Sequence, residues 1–238
     1  MTWASLIFFS PLASLALLAA TVSGRVELKD SRDPAVRKKL DYSGVVVSLK
    51  SVNGAIPVRV GSGHARMVQQ HKTFAPHVLA IPIGTIVDFP NFDPIFHNAF
   101  SSYNGQIFDV GLYAPGSTRA VHFKREGTVR VFCNIHSSMS AVIVVLATPL
   151  FDITDRAGVF EIRDVPAGDY DVRVFHERAS DENLRRLDRR ISVPAAGLDL
   201  PVIPLSESGY LPIPHKNKFG QAYRPEQDER AIYPAVRK

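Results

Sequence analysis

Short runs of apolar residues that alternate at period two constrain the fold of this chain more than any other feature. The stretch GVVVSL places Val45, Val47 and Leu49 on one face of an extended strand. The stretch GVFEIRDVPAGDYDVRVF alternates on both sides of a Pro-Gly turn, with Phe160 before the turn and Tyr170 after it. Short alternating strands at regular spacing, separated by turn residues, are typical of β-sandwiches. The sequence therefore predicts an all-β protein.

Three further segments refine this interpretation. TRAVHF and TVRVFC flank the short stretch KREG, which predicts a β-hairpin. AVIVVLA is a continuous β-branched run, as expected for a strand that is buried on both faces. Only ENLRRLDRRI has helical spacing, through Leu184, Leu187 and Ile191. We therefore expect one short helix in an otherwise β chain.

Composition excludes two classes of protein. Hydrophobic residues make up 45% of the 238 residues, which is enough for packed cores, so the chain is not intrinsically disordered. The net charge of +5 comes from Lys and Arg that are spread along the chain. Nucleic-acid-binding proteins gather such charge into a stripe with aromatic residues between. We therefore expect no nucleic-acid partner.

The first 23 residues resemble a secretory signal peptide. MTWASLIFFSPLASLALLAATVSG is apolar, contains no charged residue before Arg25 and ends in small residues. Cleavage near Ser23 or Gly24 would leave a periplasmic or secreted protein, and the alternative is an uncleaved anchor. No later segment reaches the ~20 apolar residues of a membrane span.

The only cysteine of the chain, Cys133, lies in the stretch RVFCNIHSSMS. Period-two alternation puts it on the same face as Val129 and Val131, at the point where a core strand ends. A loop that curls back would bring His136 and Met139 near its sulfur. Thiolate, imidazole and thioether together form a soft ligand set that suits copper.

Such a copper site needs a second imidazole, and His97 in VDFPNFDPIFHNAF is the best candidate. It also lies where a strand meets a loop. The neighbouring Asn98 is placed to hydrogen-bond near the sulfur and to join the two ligand segments. The alternative is a buried, inert cysteine with surface histidines.

At these residues the chain resembles the cupredoxin family of blue copper proteins. FDPIFHN and EGTVRVFCNIHSSM carry the resemblance, which covers roughly residues 65–147. Within this family, the chain is similar to small exported proteins of methylamine-utilising bacteria. It implies one copper ion held by His97, Cys133, His136 and an axial Met139. It also implies an electron carrier, not an enzyme, that meets a redox protein such as a small cytochrome or a dehydrogenase.

The remaining sequence resembles a transthyretin-like β-sandwich module of the type appended to carboxypeptidases. TDRAGVFEIRDVPAGDYDVRVFHE carries this second resemblance, and the segments before the copper region supply its first strands, with SRDPAVRKKL as a long turn. We therefore expect a Greek-key cupredoxin sandwich over residues 56–147. It would be inserted into a smaller sandwich made of residues 24–55 and 148–205, followed by an extended, proline-rich tail over residues 206–238. The alternative is two consecutive domains.

Two other functions stay open at this point. One is a copper-binding protein that delivers or buffers the metal, and the other is a structural module whose copper site has lapsed. For an electron carrier, the ring of His136 is the expected electron exit, with Pro94, Ile95 and Phe96 forming an apolar docking patch around it.

Overall fold

A computed structural model describes residues 20–57, 63–102, 105–211 and 214–223. Its two helices are α1 (Pro34–Lys39) and α2 (Asp181–Arg185). Its strands are, in chain order, β1 (Ala20–Lys29), β2 (Val46–Ser51), β3 (His64–Arg66), β4 (Val68–Gln70), β5 (Thr73–Ala75), β6 (Val78–Pro82), β7 (Ile86–Pro90), β8 (Phe100–Ser101), β9 (Phe108–Asp109), β10 (Thr118–His122), β11 (Gly127–Phe132), β12 (Ser140–Leu146), β13 (Phe151–Ile153), β14 (Val159–Val165), β15 (Gly168–Phe175), β16 (Arg189–Val193), β17 (Leu198–Asp199) and β18 (Ile203–Ser206). The prediction of an all-β protein is confirmed.

Two sheets contain only strands from the two ends of the described chain. In one sheet β1 lies between β14 and β17 and also pairs with β18, and in the other the order is β13-β2-β15-β16. Their side chains form one hydrophobic cluster, in which Val45, Val47 and Leu49 meet Phe160 and Tyr170. We call this pair of sheets the flanking sandwich. The alternation at period two thus correctly predicts which face of β14 and β15 is buried and places Val47 and Leu49 of β2 in the core, although Val46 on the other face of β2 is buried as well.

The strands between residues 64 and 146 form three other sheets. Their orders are β10-β7-β3, β6-β12-β11-β8-β9 and β4-β5. A second hydrophobic cluster lies among them and contains Phe89, Val129, Val131, Cys133 and Met139. We call these sheets the central sandwich. Whether the two sandwiches fold as separate domains with the boundaries given above stays a prediction.

Strand β12 joins the two sandwiches because both of its faces are buried, as its sequence predicts. Ala141, Ile143 and Val145 point into the core of the central sandwich. Val142 and Val144 point the other way and pack against Val46 of β2 in a third, smaller cluster. Burying an aliphatic side chain of this size contributes ~1.5–3 kcal/mol, so the two outer valines stabilise the contact between the sandwiches.

The predicted hairpin around KREG is wrong. Strand β10 pairs with β7, with His122 opposite Ile86, whereas β11 pairs with β12, with Gly127 opposite Val145. The KREG stretch therefore crosses from one sheet to another. The physical reason is that β12, apolar on both faces, offers β11 a buried partner, whereas most of β10 is exposed.

The helix content also differs from the prediction. The expected helix ends at Arg185, and Arg189–Val193 is strand β16, paired with β15. The stretch expected to be a long turn instead contains α1, and the Asp33 side chain caps this helix by accepting the backbone N–H of Ala35 at 2.8 Å. Proline at the first helical position favours such a start.

The first strand bears on the expected signal peptide, most of which lies outside the described residues. Strand β1 begins at Ala20, and both Ala20 and Val22 are buried and paired with β14. Cleavage near Ser23 would remove this part of the strand. Among the described residues, no helix has the length and apolarity needed to cross a membrane.

Candidate metal centre

The loop between β11 and β12 carries three of the four predicted ligands. Cys133 follows the last residue of β11, and its backbone N–H donates to the carbonyl of Met139 at 3.2 Å. The N–H of Met139 in turn donates to the carbonyl of His136 at 3.2 Å. These bonds curl the loop back on itself, as the sequence predicts, and the pairing of Phe132 with Ser140 holds its two ends together.

His97 comes from the connection between β7 and β8 and is held by its own backbone. Its N–H donates to the carbonyl of Tyr113 at 3.2 Å, and the N–H of Tyr113 donates back to the carbonyl of His97 at 2.9 Å. Tyr113 is itself fixed, since its hydroxyl donates to the Phe89 carbonyl at 2.9 Å. The His97 segment is thus anchored to the core of the central sandwich.

The structure brings His97, Cys133 and His136 together. Their ligand atoms all lie within 4.8 Å of one another, and this is the one such group of His, Cys and carboxylate residues within the described ranges. The Cys133 sulfur lies 3.9 Å from Nδ1 of His97 and 3.6 Å from Nδ1 of His136. The exposed fractions of the three residues are 0%, 0% and 6% in chain order.

These distances are of the size expected if the three residues held one metal ion. With metal–nitrogen bonds of ~2.1 Å and a metal–sulfur bond of ~2.3 Å, a trigonal arrangement separates sulfur from each nitrogen by ~3.8 Å. Two imidazole nitrogens and one thiolate are the in-plane ligands of trigonal copper sites. The two sulfur–nitrogen distances therefore fit a copper ion held by His97, Cys133 and His136.

The surroundings of the sulfur act on its charge in two opposite ways. Burial raises the pKa of the Cys133 thiol above its usual range, and it outweighs the opposite effect of the backbone N–H groups of Ile135, Asn98 and His136, which point at the sulfur. Three donors aimed at one sulfur satisfy a thiolate better than a thiol. A cation bound between the ligands would favour the thiolate further.

Asp93 orients His97, and sequence reasoning missed this residue. Its carboxylate lies 2.8 Å from Nε2 of His97 and also accepts the backbone N–H groups of His71 and Lys72 at 2.7 and 2.9 Å. Burial alone would raise the pKa of Asp93, but these hydrogen bonds outweigh it and hold the pKa below its usual range. An ionised Asp93 keeps the proton of His97 on Nε2, which leaves the Nδ1 lone pair directed at the cluster.

Met139, the fourth predicted ligand, is fully buried in the same hydrophobic cluster as Cys133. Its backbone closes the ligand loop, as described above. Its role as an axial ligand stays a prediction.

Asn98 differs from the prediction in how it acts. Its side-chain amide donates to the Asp109 carboxylate at 2.8 Å and to the Gly111 carbonyl at 2.9 Å, not to the sulfur. Its backbone N–H, rather than its side chain, points at Cys133. The side chain therefore ties the His97 segment to the end of β9 and to the residues that follow it.

The predicted apolar patch needs one correction. Ile95 is buried, with 4% of its surface exposed, because alternate residues of this loop point inward. The large exposed apolar side chains next to the ligand segments are those of Phe92, Phe96, Leu112 and Ile135. Ile135 directly precedes His136, and Phe96 directly precedes His97.

Comparison with known proteins gives structural neighbours only. No family model matches the chain, and no curated protein matches it. A copper-containing nitrite reductase from Thermus scotoductus SA-01 is 23% identical, with 40% of this chain and 26% of that chain covered and a TM-score of 0.34. The chain thus spans about a quarter of the reductase.

Two smaller copper proteins are also similar in part. A purple cupredoxin from Nitrosopumilus maritimus is 24% identical, with 34% of this chain and 99% of that chain covered and a TM-score of 0.31. An amicyanin variant in its reduced Cu(I) form is 16% identical, with 42% and 98% covered and a TM-score of 0.34. At TM-scores this low, the neighbours carry no inference about this chain, so the proposals below depend on the geometry of its own residues.

Proposed function

We propose that this chain binds one copper ion and carries single electrons between redox proteins. The observation that carries the proposal is the convergence of the Cys133 sulfur and the Nδ1 atoms of His97 and His136 in a buried cluster. Met139 would be the axial ligand. Bound copper would supply a one-electron couple, because both of its common oxidation states accept this ligand set.

Rigidity of the ligands favours an electron carrier over a copper-delivery protein. Asp93 orients His97, the backbone of Met139 closes the Cys133 loop, and Tyr113 anchors the His97 segment. A carrier needs ligands that move little when the electron arrives, whereas a delivery protein needs an open or mobile site. Burial of all three ligands supports the closed alternative.

The electron is expected to pass through the edge of His136. This residue retains a small exposed fraction of 6%, whereas His97 has none. The exposed Phe92, Phe96, Leu112 and Ile135 supply apolar contact area next to the ligand segments. Redox encounters are small and transient, so a few such side chains suffice for docking. The partner would be a redox protein such as a small cytochrome or a dehydrogenase, in the periplasm or outside the cell.

Repeated redox cycling in the presence of a tight Cu(I) chelator tests the carrier assignment. We expect the copper-loaded protein to keep its metal over many cycles, because its ligands are buried and held from several sides. The measurement is the copper that remains bound after each cycle. Rapid transfer of copper to the chelator on reduction would instead support delivery.

A further inference from the structure

A segment far along the chain from the ligands contacts the start of the loop that carries Cys133 and His136. We call residues 214–223 the strap. The hydroxyl of Tyr223 donates to the carbonyl of Cys133 at 2.8 Å, and the N–H of Lys218 donates to Oδ1 of Asn134 at 2.9 Å. The ring of His215 stacks on Phe132, with 4.1 Å between ring centroids and 26° between ring planes. The strap therefore contacts three consecutive residues at the start of the ligand loop.

The strap has its own internal structure. Oδ1 of Asn217 accepts the N–H groups of Phe219 and Gln221 at 2.9 and 3.0 Å, and the N–H of Asn217 donates to the carbonyl of Gln221. Gly220 has a φ of +74°, a conformation that favours glycine in such a turn. The turn is therefore closed by its own hydrogen bonds while it contacts the loop.

The strap also reaches the other ligand segment. Nζ of Lys218 lies 2.7 Å from Oδ2 of Asp109, whose Oδ1 accepts the Asn98 side-chain amide at 2.8 Å. Asn98 directly follows His97. One segment thus connects, through hydrogen bonds, the strand end that carries Cys133 with the residue next to His97.

We propose that the strap is a positioning element of the metal centre and that Tyr223 is its main positioning residue. Through Tyr223 the strap holds the Cys133 carbonyl, and through His215 it packs on the Phe132 ring. These two contacts keep the ligand loop closed over the sulfur. The consequence for copper depends on the proposed function, whereas the closure of the loop does not.

Access to the Cys133 thiol in the metal-free protein tests this proposal without copper. Cys133 is the only cysteine and is fully buried, so a thiol reagent such as 5,5′-dithiobis(2-nitrobenzoate) reacts only when the loop opens. Tyr223→Phe removes one hydrogen bond to the loop, so we expect the reaction to become ~3- to 10-fold faster, which corresponds to the usual net contribution of one such bond.

Tyr170→Phe is the matched control. It removes a hydroxyl that donates to a backbone carbonyl at 2.8 Å, that of Pro166, in the flanking sandwich. We expect its thiol reactivity to stay within 2-fold of the wild type, a change of only a few tenths of a kcal/mol by the usual conversion. Equal rates for Tyr223→Phe and Tyr170→Phe would overturn the proposal.

A second variant and a second readout separate positioning from general destabilisation. Tyr223→Phe combined with His215→Ala should accelerate the reaction beyond the single change while the melting temperature of the protein moves little. In copper-loaded protein the same variants should lose metal to a chelator faster than Tyr170→Phe does. If the thiol of the strap variants reacts faster but neither the wild type nor any variant binds copper, the role of the strap is supported and the proposed function is contradicted.

Discussion

At the scale of single residues, the centre depends on contacts that hold the ligands rather than on the ligands alone. Asp93 fixes which nitrogen of His97 faces the sulfur, and three backbone N–H groups point at Cys133. The sequence predicts that these ligands converge, since Cys133 directly follows a core strand, His136 lies in the loop after it, and His97 lies where another strand gives way to a loop. Asp93 gives no comparable signal, because its contact with His97 depends on the path of an irregular loop.

The role of Asp93 can be tested by its conversion to an amide. Asp93→Asn weakens the acceptor that fixes the His97 ring, so we expect metal affinity to fall ~10- to 100-fold, the usual effect of such a change. The measurement is competition for copper with a chelator of known affinity. Asp88→Asn is the control, since Asp88 pairs with Nδ1 of His64, an exposed histidine outside the cluster. Similar losses in both variants would contradict the assigned role.

At the scale of secondary-structure elements, local pattern and long-range pairing differ in how far the sequence predicts them. Alternation shows which face of β11 is buried, because that depends only on neighbouring residues. It does not show that β10 pairs with β7, because pairing depends on which distant strand offers the larger buried surface. The contact between the strap and the ligand loop cannot be predicted from local pattern either, since Tyr223 and Cys133 are 90 residues apart in the chain.

Strand β1 leads to a prediction about export. Ala20 and Val22 lie in the core of the flanking sandwich, with 3% and 0% of their surfaces exposed. Removal of both would leave part of β14 without a partner strand. We therefore expect signal cleavage to leave Ala20 on the mature protein, a few residues before the site near Ser23 that the sequence suggests. N-terminal sequencing of the mature protein would show at which residue it begins. A mature chain that begins at Gly24 would contradict this expectation.

At the scale of the whole molecule, two hydrophobic cores meet through the outer face of β12. Val142 and Val144 pack on Val46, and nearby Nε2 of His77 lies 2.7 Å from the Glu177 carboxylate. Each core draws its buried residues from its own sandwich. This separation supports the interpretation that the flanking sandwich is one domain interrupted by the other.

A deletion tests whether the flanking sandwich folds alone. The ends of the central segment lie close together, because the Thr148 hydroxyl donates to the Leu49 carbonyl at 2.8 Å. Joining Ser51 to Thr148 by a short linker should therefore leave a folded β protein with a cooperative thermal transition. The same deletion with Val47→Asp should not fold, since it buries an unpaired charge. An unfolded product without that substitution would favour two consecutive domains.

The visible absorption spectrum of the copper-loaded protein tests the central claim most directly. Charge transfer from the Cys133 thiolate to oxidised copper should give intense visible absorption, which disappears on reduction and is absent in Cys133→Ser. Tyr170→Phe, in the flanking sandwich, should leave the spectrum unchanged. A wild-type protein that binds one copper per chain but stays colourless when oxidised would contradict the assignment of this cluster as an electron-carrying copper centre.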